Sequence, residues 1–145
     1  RVAKLRAGDF DGLMLAAAGL DRLELDLTGL HRVDLDPAVF LPAPAQGALA
    51  LEIRRGDPLG DALTDLHDVA GYPPVAAERG LLGLLDAGCQ LALGAHARRD
   101  GHEVVLDAWF EGRRAQGRHA TGEGAAMFAF EDLGRPRAGA AAGAP

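Results

Sequence analysis

The chain has 145 residues, enough for one domain or two small ones, and its apolar fraction of 48% with only 5% aromatics calls for a core of Leu, Val and Ala. A net charge of −6, split −5 over residues 1–75 and −1 over the rest, leaves no basic platform and argues against nucleic acid as a partner. The single cysteine, Cys89, excludes an internal disulfide framework and suits a reducing, cytoplasmic setting, and no apolar run approaches the length of a membrane span.

In chain order, Arg1 to Ala7 reads as a short helix stopped by Gly8. Phe10 to Ala18 is a small, apolar run, the pattern of a strand buried on both faces, as in parallel α/β sheets. Gly19 to Leu25 reads as a short helix with Arg22 near its start, and Leu27 to Pro37 is polar and turn-rich. Val39 to Pro42 and Ala48 to Ile53 read as strands. Asp57-Pro58 opens a helix over Leu59 to Leu66, with apolar residues at 59, 62, 63 and 66. Gly71-Tyr72-Pro73-Pro74 reads as a break and a domain boundary.

Beyond it the pattern is α+β. Val75 to Leu85 is a helical stripe, ended by Gly88. Leu91 to Arg98 and Glu103 to Phe110 are strands joined through Asp100-Gly101, a strong hairpin signal, and Arg114 to Thr121 is a third, polar strand. Ala125 to Leu133 closes as a helix, and the tail from Gly134 to Pro145, made of Gly, Ala, Pro and Arg, is expected to be disordered.

Cys89 falls in Asp86-Ala87-Gly88-Cys89-Gln90, between the helix and the first strand of this pattern. A lone cysteine is often a small buried hydrophobe. Here its neighbours are a glycine and an amide, and connections carry function more often than cores do. A thiolate there would be a soft nucleophile that forms stable carbon–sulfur bonds. The five histidines, at 31, 67, 96, 102 and 119, have no paired ligand spacing, so no metal site is read. No Walker loop and no Gly-x-Ser-x-Gly elbow is present.

Three blocks resemble one family. They are Arg1-Val2-Ala3-Lys4-Leu5 with Asp11 to Leu23; Leu41-Pro42-Ala43-Pro44-Ala45-Gln46-Gly47-Ala48-Leu49-Ala50-Leu51-Glu52; and Glu78-Arg79-Gly80-Leu81 with Asp86 to Gln90 and Gly94. In that order and spacing they resemble the porphobilinogen deaminases, or hydroxymethylbilane synthases. The resemblance implies an α/β plus α+β fold: an incomplete periplasmic-binding-protein-like α/β portion, then a small α+β domain whose three-stranded antiparallel sheet is packed by helices. On this reading residues 1–38 are the C-terminal half of a second α/β domain, 39–70 return to a first, and 71–145 form the domain carrying the cysteine. The start at Arg1, with neither a methionine nor a signal-peptide pattern, fits a piece of a longer polypeptide.

The resemblance also implies a transferase of haem biosynthesis that joins four porphobilinogen molecules into hydroxymethylbilane with loss of ammonia. Cys89 would hold a dipyrromethane cofactor through a thioether, and Arg1 and Arg22 would contact cofactor and substrate carboxylates, a task suited to bidentate guanidinium groups. Both arginines are expected near helix starts, where the dipole adds to anion binding. Arg79 is expected to be structural, and Gln46-Gly47 conformational rather than catalytic. The catalytic aspartate is expected before Arg1, so none is assigned here, and the chain alone is expected to be inactive. The partners implied are porphobilinogen and the preceding part of the same protein, in a monomer, without nucleic acid or membrane. Ala87, Ala92 and Pro44-Ala45 depart from the family, which has glycine, proline and Val-Gly there. The alternative is a non-catalytic binding or interaction domain with Cys89 a free thiol.

Overall fold

The computed structural model describes residues 1–86 and 92–134. The chain divides into two units, Arg1–Asp36 and Pro37–Pro145.

In the first unit, α1 spans Val2–Arg6 and α2 spans Ala17–Arg22. Helix α1 ends as the Val2 to Leu5 spacing and Gly8 suggest. Gly8 takes φ +82, its N–H reaches the Leu5 carbonyl at 3.1 Å, and the Asp9 N–H reaches that of Lys4 at 3.1 Å. This pair of bonds is a Schellman stop, which needs the left-handed residue that glycine supplies without strain. The expected buried strand over 10–18 is absent: the segment has no ladder, Ala17 and Ala18 lie in α2, and Phe10 and Met14 are 48% and 62% exposed. A strand needs a lateral neighbour for its N–H and C=O groups, and no described residue provides one.

In the second unit, α3 spans Leu59–Thr64, with Asp57 Oδ1 accepting the Leu59 N–H at 2.9 Å. The strands expected at 39–42 and 48–53 are not formed, and Leu49 and Leu51 are 91% and 65% exposed. Helix α4 runs Tyr72–Leu84, so Tyr72-Pro73-Pro74 is its first turn rather than a break. Proline is tolerated there because a first-turn N–H has no intrahelical partner. Asp68 supports that start, accepting the Ala70 and Gly71 N–H groups at 3.1 and 2.9 Å.

The sheet is a meander, β1 Leu93–Asp100, β2 Glu103–Phe110 and β3 Arg113–His119, antiparallel in the order β1-β2-β3. The three-stranded α+β arrangement read from the sequence is therefore present. Asp100 pairs with Glu103, leaving the two-residue turn Gly101-His102 with Gly101 at φ +61. Phe110 pairs with Arg113 around Glu111-Gly112, both at positive φ (+48 and +80), the turn that matches strand twist.

Helix α5, Gly122–Asp132, starts three residues earlier than its apolar pattern suggests. Thr121 caps it, its hydroxyl accepting the Gly124 N–H at 3.1 Å. Leu81, Ala95, Leu106, Ala108, Ala125 and Ala129 are all at most 1% exposed and belong to one core that α4 and α5 share with the sheet. Small residues let these layers approach. A Cβ on Gly117 would meet the α5 backbone at Ala125 and Ala129, and one on Gly122 would meet that of α4 at Pro73 and Ala77. On the other face Val105 is fully buried between its cross-strand partners Arg98 and Arg118.

Candidate functional site

Cys89 lies outside the described residues, as do residues 135–145 of the tail expected to be disordered; the elements on either side of the cysteine are α4, ending at Leu84, and β1, beginning at Leu93. Support for the site therefore comes from the residues that hold those two elements.

Glu78 is the centre of that support. It is the one charged residue in the core among the described residues, 7% exposed, and it stands on the face of α4 that carries Leu81 and Leu82. Its Oε1 accepts the Ala97 N–H of β1 at 2.7 Å, and its Oε2 accepts the Ala45 N–H at 2.6 Å. A buried carboxylate is tolerable only when its oxygens are so satisfied. One side chain thus ties α4, β1 and the turn at Ala45. The structural role expected of Arg79 falls instead to this neighbour, and Arg79 itself is exposed.

The 41–47 block is turned and irregular. The Gln46 N–H bonds the Ala43 carbonyl at 3.1 Å and the Ala48 N–H that of Ala45 at 3.1 Å. Gly47 takes φ +89, in line with the conformational role expected of it, and Ala45 takes φ +59. Alanine is strained there by about 1–2 kcal/mol relative to a right-handed conformation. The Ala45 departure noted in the sequence thus falls on a position that favours glycine.

In the first unit both candidate arginines are exposed. Arg1 is the N-cap of α1, its carbonyl accepting the Lys4 and Leu5 N–H groups at 3.1 and 3.2 Å. Arg22 is the last residue of α2, not near a helix start as expected, because α2 begins at Ala17, ahead of the expected helix. The helix end there is negative, so it favours the guanidinium but adds nothing to anion binding. The other two arginines of this unit are engaged. Arg6 donates to the Asp26 carbonyl at 2.7 Å, and Arg32 pairs with Asp21 at 2.6 Å and Asp34 at 2.8 Å, which raises its pKa. Among the described residues Arg1 and Arg22 have no carboxylate partner, and no hydrogen bond joins them to each other. Free guanidinium forks of this kind fit the carboxylates of an acidic ligand.

On the sheet's solvent face Asp107 pairs with Arg98 and accepts from Gln116 Nε2 at 2.6 Å. Burial pushes its carboxyl up, but Gln116, Arg98 and His96 together outweigh this and hold it below the usual carboxylate range. Among the described residues no three His, Cys, Asp or Glu side chains are grouped to hold a metal, and no helix is long and apolar enough to cross a membrane.

Residues 1–61 match the family described as porphobilinogen deaminase, dipyromethane cofactor binding domain. The chain is 50% identical over 104 residues to the porphobilinogen deaminase of Thermus thermophilus, covering 70% of this chain and 34% of that protein. It is 43% identical over 109 residues to that of Oceanobacillus iheyensis (74% and 35%) and 44% over 110 residues to that of Deinococcus radiodurans (75% and 35%). The chain spans about a third of the length of these relatives.

Proposed function

This chain is a relative of the porphobilinogen deaminases, and on that premise we propose that it is the C-terminal portion of one. In this reading residues 1–38 complete a periplasmic-binding-protein-like α/β domain, 39–70 return to another, and the α+β domain carries Cys89. The whole protein is then a cytoplasmic, monomeric transferase that joins four porphobilinogen molecules head to tail, with loss of ammonia, to give hydroxymethylbilane. What carries the reading is the order of three sequence blocks, at 1–23, 41–52 and 78–94, together with alignments reaching 50% identity over 104 residues.

A dipyrromethane group, when bound, supplies a two-ring primer that keeps the growing pyrrole chain attached to the protein. Cys89 is the residue to hold it: a thioether resists hydrolysis through repeated cycles, where a serine ester would not. Arg1 and Arg22 bind and orient acetate and propionate groups with paired N–H donors. Neither arginine is given a proton-transfer role. That task is assigned to a carboxylate in the part of the relatives that precedes this sequence, and the 145-residue chain by itself turns over no substrate.

The test fuses this chain behind the preceding two thirds of the Thermus thermophilus relative. Intact mass is expected to rise by two pyrrole units, and Cys89→Ser to abolish the rise. The bilane product is followed by its pink colour with Ehrlich aldehyde. An unmodified mass overturns the reading in favour of a non-catalytic binding domain, and bilane formed by the chain alone overturns its inactivity.

A further inference from the structure

Residues 38–46 form a belt with no helix or strand of its own, yet it is fastened to the α+β domain at both ends. At one end Arg114 of β3 donates from Nη1 to the Ala38 carbonyl at 3.2 Å and from Nη2 to the Val39 carbonyl at 2.9 Å. At the other, Glu78 accepts the Ala45 N–H at 2.6 Å. Between them the Pro42 carbonyl accepts the Ala95 N–H of β1 at 2.8 Å. Leu41 lies over Gly94, where a Cβ would come within 2.9 Å of the Leu41 Cβ and 3.2 Å of its carbonyl oxygen. A cation thus grips carbonyls at one end and an anion grips an N–H at the other, the stronger kind of hydrogen bond in each case. Side-chain charge and the free edge of β1 both hold the belt down.

We infer that Glu78 and Arg114 are positioning residues that clamp the 38–46 belt onto the α+β domain and keep it in one register with α4 and β1, the elements flanking Cys89. Glu78 touches all three, through its own place on α4, the Ala97 N–H of β1 and the Ala45 N–H of the belt. That the clamp serves pyrrole-chain growth rests on the cofactor reading of Cys89 given above; the clamp itself does not.

Two measurements separate these. In the 145-residue chain, amide exchange is followed by NMR at Ala45 and Ala95, whose bonds cross from belt to domain. Glu78→Gln sets an NH2 group against one of two N–H donors, and Arg114→Gln removes the fork. Each is expected to speed exchange at Ala45 and Ala95 by about tenfold, the worth of one charge-assisted bond, while β2 and β3 amides keep their wild-type rates. Unchanged exchange in both variants overturns the clamp, and Arg114→Gln, at the surface, decides it should Glu78→Gln not fold. In the fused protein, both variants are expected to keep the two-pyrrole mass and lower kcat for bilane formation about tenfold with little change in KM. Wild-type kcat in both overturns the positioning role. A fused wild-type protein with no mass increment sinks the cofactor reading instead, and the exchange measurement still decides the clamp.

Discussion

Replacing Gly117 by alanine puts a methyl group where β3 meets the backbone of α5. The new Cβ would lie 2.6 Å from the Ala129 nitrogen and 2.9 Å from the Ala125 carbonyl carbon, and closer still to the Ala125 oxygen. No flexible side chain stands there to swing away, so either α5 retreats or β3 bends. A retreat of about 1 Å forfeits a quarter to a half of each dispersion contact across the layer. That layer includes Ala125, Ala126, Ala129, Phe130 and Leu133, all buried. Overpacking a core costs about 1–3 kcal/mol even where side chains can adjust, so with backbone on the far side we expect ~3 kcal/mol or more. For a domain of this size that lowers Tm by about 12 °C or leaves it unfolded. The control is the same substitution where the space is open. Gly83, in α4, has nothing within 4 Å of the point a methyl would occupy, so Gly83→Ala should stabilise by about 0.5–1 kcal/mol through helix propensity alone. Urea unfolding, read by far-ultraviolet circular dichroism and by Trp109 fluorescence, compares the three proteins. A Gly117→Ala midpoint equal to wild type would refute the close-packing argument.

Ala45→Gly should relieve the φ +59 strain by about 1 kcal/mol and slow exchange of the Ala45-position amide about fivefold; faster exchange would mean that the lost methyl outweighs the backbone. Thr121→Ala should cost about 1 kcal/mol by removing the α5 cap, with Thr121→Ser close to wild type, and equal midpoints for Ala and Thr would rule the cap out. Asp107 has a depressed folded pKa, so its contribution is present above its unfolded value of roughly 3.9 and is lost as pH falls through the folded one. Asp107→Asn should therefore flatten the fall of Tm on acidification below about pH 4, and a fall as steep as wild type would show that the Arg98 and Gln116 contacts carry no pH linkage.

The parts of the fold legible from the sequence are those in which the signal and its partner lie close together in the chain. The β1–β2 hairpin qualifies: the alternation of Val104, Leu106 and Ala108 finds its partners across the two-residue turn Gly101-His102. The runs at 10–18 and 48–53 carry equally good apolar patterns and form no strand. Periodicity reports which side chains a segment would bury, while a strand also needs a neighbouring edge for its backbone, and no described residue supplies one. Helix α5 is legible from Ala125 onward but not at Gly122 and Gly124, whose low propensity hides the first turn. Gly122 is there because a methyl would strike the backbone of α4, a requirement that no local pattern expresses.

Glu78 is the opposite case, a residue whose role is written in the sequence but is easily passed over. Counting along α4, position 78 lies three, four and seven residues before Leu81, Leu82 and Leu85, so it belongs to the apolar stripe and not to the solvated face. An acid on a buried stripe must find donors, and α4 cannot supply them, since its own N–H groups past the first turn are committed to its carbonyls. The donors must come from other segments, and an irregular one is the natural source because its N–H groups are not spent on a ladder. The turn at Ala45 and the free edge of β1 at Ala97 meet that description. One charge out of place on the stripe thus leads to the clamp on the 38–46 belt, and the clamp requires that Glu78→Leu, which fits the stripe better, still loosen the belt. If amide exchange at Ala45 in that variant matched wild type, the carboxylate would be a passenger in the core, and the belt would be held by Arg114 and the edge of β1 alone.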